Sequence, residues 1–86
     1  MLLKYAILII MTNQLTEAKV IRIIKSIIDT PNDLNGDFII NSIYGWDSLT
    51  VINLIVSLEK EFNINLNLDY FSTERKVSDI VEMITN

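Results

Sequence analysis

A serine beside an aspartate, in Gly45-Trp46-Asp47-Ser48-Leu49, marks the place where this chain could do or receive chemistry. The pentapeptide opens an apolar helical stretch running to Phe62, which puts one hydroxyl at a helix start next to a carboxylate. The unpaired N–H groups and positive dipole end of such a start favour an anion. The chain has no His and no Cys, so it lacks an imidazole base, a native thiol and the commonest soft metal ligands. Nothing in the sequence can activate the Ser48 hydroxyl, and catalytic groups acting on it must come from another protein. The bland reading of the same residues is a helix cap, a task open to Ser48 and equally to Asp47.

Composition narrows the possible partners. With 86 residues, half of them apolar, the chain suits one small domain whose core must be packed efficiently to exceed the chain entropy. Two glycines, one proline and no internal repeat leave no flexible linker between modules. The net charge of −4 argues against nucleic acid as partner, since the clustered Lys and Arg that neutralise phosphates are absent, and basic partner proteins are the natural complement. Without cysteines there is no disulfide framework to imply secretion, so a cytoplasmic location is the default expectation.

Residues 1–11 form an apolar segment with Lys4 as the single charge. A transmembrane helix needs roughly 20 apolar residues. This run stops at Thr12-Asn13-Gln14, so no stable membrane insertion is expected. A signal peptide would want a stronger basic start and a small-residue cleavage site. The remaining reading is an extension upstream of a physiological start at Met11, with the domain proper over residues 12–86. Removal of residues 1–10 takes away Lys4 and moves the net charge from −4 to −5, so the acidic character belongs to the domain.

Three amphipathic patterns must position the serine. Over residues 13–29, Leu15, Ala18, Ile21, Ile24, Ile27 and Ile28 recur at helical steps, with Thr12 or Asn13 as candidate caps and Thr30-Pro31 as the stop. Residues 32–44 read as a long loop with a turn at Asn35-Gly36-Asp37, tied to the core by Phe38, Ile39, Ile40 and Ile43. The second helix, over 48–62, carries an apolar arc wider than one core face requires: Leu49, Ile52, Ile55 and Val56, extended by Leu54, Leu58 and Phe62. Residues 63–68 alternate polar and apolar, but with no second strand-like run to pair with, unless residues 1–10 serve, they read as an extended connector. A short helical turn over 69–73 and a last helix over 76–84, with Val77, Ile80, Val81 and Ile84 inward, complete the chain. The expected fold is all-α, a small four-helix bundle of three main helices plus one short one.

In this order of elements the sequence resembles the acyl and peptidyl carrier protein family, over residues 12–84. Gly45-Trp46-Asp47-Ser48-Leu49 looks like the modification motif, Leu58-Glu59-Lys60-Glu61-Phe62 like the end of the second helix, and residues 77–84 like the last. The resemblance implies that Ser48 receives 4′-phosphopantetheine from coenzyme A in a Mg²⁺-dependent step run by a separate phosphopantetheinyl transferase. The arm would supply the missing thiol, on which acyl or aminoacyl groups are carried as thioesters. It further implies partners of three kinds: the transferase, an acyl- or amino-acid-activating ligase, and a ketosynthase or other acyl-processing enzyme. No catalytic activity of the chain itself, no metal site and a monomeric state go with that reading.

In the family the second helix is the recognition face, which makes Trp46, Asp47, Leu49, Ile52, Val56, Glu59 and Glu61 candidate partner contacts. For Leu49, Ile52 and Val56 the alternative is ordinary core, for Glu59 and Glu61 a solvated helix end, and for Trp46 packing of the loop on the bundle. Thr50, Asn53 and Lys60 stand where typical fatty-acid carriers often place acids. That departure turns the expectation toward specialised pathways such as polyketide, nonribosomal peptide or surface-glycan modification, with fatty acid synthesis still open. The rival reading is an unmodified helical adaptor that binds partner proteins through the second helix. An enzyme is disfavoured by the missing His, Cys and phosphate-cradling glycine loop.

Overall fold

A computed structural model describes residues 2–86, with the side chain of Leu2 left aside. Three α-helices, α1 (Leu2–Ile27), α2 (Ser48–Phe62) and α3 (Val77–Thr85), are joined by two long connections. Each connection holds a 3-10 turn, Ile40–Ser42 in the first and Leu68–Ser72 in the second. No strand occurs among the described residues, only an isolated antiparallel bridge between Ile39 and Lys76. The all-α bundle with one short fourth element is therefore observed. The connector over 64–67 belongs to no strand and reaches Asn67 in extended conformation, and the short helical turn follows it at Leu68–Ser72.

α1 differs from expectation at its start. It does not begin at Thr12 or Asn13, because the Thr12 hydroxyl donates back to the Leu8 carbonyl at 2.8 Å and the helix passes through without a break. Its phase differs as well. Thr16, Val20 and Ile24 face the core, whereas Leu15 and Ala18 are exposed. At the other end the helix stops at Ile27, with Ile28 N–H still donating to the Ile24 carbonyl at 3.1 Å.

The core is built where the three helices meet. Val20 and Ile24 of α1, Leu54, Ile55 and Leu58 of α2, and Val77, Ile80 and Val81 of α3 are buried, with Leu34, Ile40, Ile43 and Phe71 of the connections closing it. The first connection serves the bundle through its backbone as well. Asn35 Oδ1 accepts from Asp37 N–H at 2.9 Å to form the expected turn. The loop carbonyls of Gly36 and Phe38 then accept from Ser78 and Val77 N–H at 2.8 and 3.0 Å. Two N–H groups at the start of α3, which a helix cannot satisfy internally, are met by the loop. Asp79 adds a carboxylate that accepts from Lys76 N–H at 2.7 Å.

Candidate functional site

The start of α2 is fixed by residues on both sides of it. Gly45 has φ +88°, a left-handed conformation that a side chain disfavours, and it turns the loop into the helix. Asp47 is the N-cap in extended conformation, with Oδ1 accepting from Thr50 N–H at 2.8 Å and from the Thr50 hydroxyl at 2.9 Å. These bonds, the backbone one foremost, hold the Asp47 carboxyl below its ordinary value of 3.8. At the far end Asn63 takes the left-handed conformation (φ 53°) common just past a helix C-terminus.

Between Ser48 and Asp47 the capping task falls to Asp47. Ser48 is the first residue of the helix and is exposed. Its position can accept a phosphodiester: the hydroxyl stands on the first turn of a 15-residue helix, and the flanking Gly45, Asp47 and Leu49 are exposed too. The neighbouring Asp47 carboxylate is engaged with Thr50.

Trp46 is partly buried and lies with its ring 5.7 Å from that of Phe71, tilted by 59°. Phe71 meets Tyr70 edge-on at 5.0 Å, and the Arg75 guanidinium sits 4.1 Å above the Tyr70 ring. Burial raises the Tyr70 phenol, with the Arg75 charge working in the opposite direction. Asn41 closes this cluster from the first connection: its Nδ2 donates to the Phe71 carbonyl at 3.1 Å, and its Oδ1 accepts from Arg75 N–H at 2.8 Å. Sequence reasoning missed Asn41, Tyr70, Phe71 and Arg75. The two halves lie about thirty positions apart in the chain, and no local pattern announces such a pairing. Tyr44, 98% exposed directly before the Gly45 turn, was also missed.

At about 100° per residue, α2 places Leu49, Ile52 and Val56 on one side, away from the buried Leu54, Ile55 and Leu58. These three are 64%, 45% and 45% exposed, so they form a free apolar stripe and not core. Glu59 falls at the edge of the stripe. Its Oε2 accepts from Leu66 N–H at 3.0 Å, which fastens the extended connector to the end of α2. Glu61 is exposed but points to the other side of the helix from the stripe. Between Asp47 and Glu59 the chain has no carboxylate at all. A groove of about 510 Å³ lies between α1 and α3, lined by polar groups such as Asn13, Gln14, Glu17 and Glu82, and no α2 residue borders it.

The family described as "Phosphopantetheine attachment site" matches residues 18–84, a span that holds the whole of α2, both connections and nearly all of α3. The chain belongs to this phosphopantetheine-attachment family. No curated protein matches it, and no solved structure does. Family members carry 4′-phosphopantetheine covalently on a serine, and the group belongs to this chain as its cofactor. A phosphopantetheine-bearing carrier role follows at that general level, as does dealing with phosphopantetheinyl transferases and acyl-processing enzymes as a class. Among the described residues no helix is long and apolar enough to cross a membrane.

Proposed function

We propose that Ser48 is the attachment residue and that the chain is a carrier, without catalysis of its own, for acyl or aminoacyl groups. The observation that carries this reading is the division of labour at the start of α2. Asp47 caps the helix, so the adjacent Ser48 hydroxyl is exposed and spared from structural duty on the first turn. When bound, the arm supplies the thiol that holds the cargo as a thioester. The carrier unit spans residues 12–86, acts as a monomer and works in the cytoplasm. Its cargo belongs to polyketide, nonribosomal peptide, fatty acid or related biosynthesis.

Partners dock on the apolar stripe of Leu49, Ile52 and Val56, flanked by Asp47 at the serine end. Trp46 contributes mainly by holding the preceding loop against Phe71, Glu59 by fixing the connector, and Glu61 supplies a peripheral charge. Because the middle of the stripe lacks carboxylates, affinity there comes from apolar burial, and charge acts chiefly on the rate of encounter. The reading is tested by intact mass after incubation with coenzyme A, Mg²⁺ and a broad-specificity phosphopantetheinyl transferase. A phosphopantetheine-sized gain in the native chain but not in Ser48→Ala supports it. Equal gain in both would remove Ser48, and no gain with several transferases would favour an unmodified adaptor.

A further inference from the structure

α1 extends well past the bundle at its N-terminal end. The helix has 26 residues, about 39 Å of length at 1.5 Å per residue, and the molecule measures 46 × 28 × 21 Å along its principal axes. From Leu3 onward, the first of its residues to be buried is Thr16. Before it, Leu3, Tyr5, Ile7, Leu8, Ile9, Ile10 and Met11 are each between 51% and 77% exposed. Steps of about 100° distribute these seven around the whole circumference of the helix, so the projecting segment has no polar side. A helix apolar all round belongs in an apolar surrounding, whereas one built for a single helical neighbour shows a stripe.

From these observations we infer that the projecting start of α1 inserts reversibly into the surface of a lipid bilayer. Two further features favour lipid over a second copy of the chain. The first is area. The projecting cylinder, about 15 Å long and 11 Å across, presents on the order of 500 Å² of envelope. One helical neighbour covers about a third of that, far below the roughly 800 Å² that each partner buries in a specific interface. A bilayer surface takes up more of it than one helix can. The second is charge. Residues 1–16 hold no acid and one base, Lys4, while the chain as a whole carries −4. The apolar end therefore reaches a membrane without bringing carboxylates to it, and Lys4 extends along its stem to the headgroups.

The segment is too short to cross a hydrocarbon layer of roughly 30 Å, and the unpaired N–H groups of its first turn need water or headgroup oxygens. The insertion is consequently shallow, at the boundary between headgroups and acyl chains. A Cβ on Gly45 would lie 3.8 Å from Ile28 Cδ1, so the start of α2 sits beside the C-terminal end of α1, about 25 Å of helix beyond Met11. The start of α2 is therefore remote from the inserted segment. The bilayer binding does not rest on the Ser48 assignment.

The experiment is co-sedimentation of the full chain with phosphatidylcholine vesicles, with and without added phosphatidylglycerol. The native chain is expected to pellet with both vesicle types, with no more than a small gain from the anionic lipid. The double variant Ile7→Gln/Ile9→Gln should bind at least about tenfold more weakly while retaining its far-UV circular dichroism. Leu68→Gln, which removes an exposed leucine elsewhere on the surface, should bind as the native chain does. The single tryptophan, Trp46, should keep its emission maximum on vesicle addition, since it lies at the opposite end. Absence of native binding, undiminished binding by the double variant, or a Trp46 shift that tracks binding would each overturn the inference. So would a concentration-dependent dimer, abolished by the double variant, in a chain that ignores vesicles. Transferase loading of Ser48 measured on the same samples separates failure of this inference from failure of the carrier reading.

Discussion

Replacing Asn41 by Ala should loosen the loop that leads into α2. The side chain makes two bonds across the molecule, donating to the Phe71 carbonyl at 3.1 Å and accepting from Arg75 N–H at 2.8 Å, both partly buried. Truncation leaves one acceptor and one donor without protein partners. A buried orphan costs about 1–3 kcal/mol, and water reaches these groups in part, so a total of roughly 1.5–3 kcal/mol is expected. For a chain of this size that corresponds to a fall in Tm of roughly 6–24 °C. Asn41→Asp keeps an acceptor for Arg75 N–H and loses only the donor, so it should fall about half as far. Urea titrations followed by far-UV circular dichroism measure the loss. Trp46 emission reports on the cluster itself, because its ring packs on Phe71. A loss below about 0.5 kcal/mol for Asn41→Ala, with Trp46 emission unchanged, would show that Ile40 and Ile43 hold the loop without the amide.

Three further outcomes are expected. Leu58 is fully buried at the centre of the bundle, so Leu58→Ala should cost about 2–5 kcal/mol by denaturant titration, whereas Ser48→Ala should stay within about 0.5 kcal/mol of native. The Asp47 carboxyl is held below its ordinary value of 3.8, so its capping contribution is present above that value and is lost as pH falls through the lower folded value. Asp47→Asn should accordingly show a shallower decline in helicity than the native chain between about pH 5 and about pH 2, read by circular dichroism. Leu49→Asp should slow transferase loading about tenfold or more at any salt concentration, Glu61→Lys should slow it slightly and only at low salt, and Glu59→Gln should match native because the amide oxygen still accepts from Leu66 N–H. Equal salt dependence for Leu49→Asp and Glu61→Lys would contradict apolar docking.

The parts of the fold that could be read beforehand are those written in local chemistry. α2 runs from Ser48 to Phe62 as the sequence suggests, because an aspartate able to cap precedes it and an asparagine able to turn left-handed follows. The turn at Asn35 and the last helix are equally local, one resting on an amide that bonds its own backbone, the other on apolar residues at three- and four-residue steps. α1 was harder because isoleucines at 21, 23, 24, 27 and 28 spread over too many directions to fix a phase, so Leu15 was expected inward and Thr16 was not. Thr12 resembles a stop signal until its hydroxyl is seen to bond a carbonyl within the helix. At the site, the serine and its flanking aspartate were legible together. The roles of Trp46 and Glu59 were not, since one depends on Phe71 and the other on Leu66, contacts made only after the connections fold back.

The carrier reading stands or falls on one hydroxyl. Fragmentation mass spectrometry of the chain after loading from coenzyme A, on the peptide containing Asp47 to Ser57, locates the group directly. The account predicts a single phosphopantetheine on Ser48 and none on Thr50 or Ser57. Its appearance on either of those, or on any residue outside the start of α2, would contradict it.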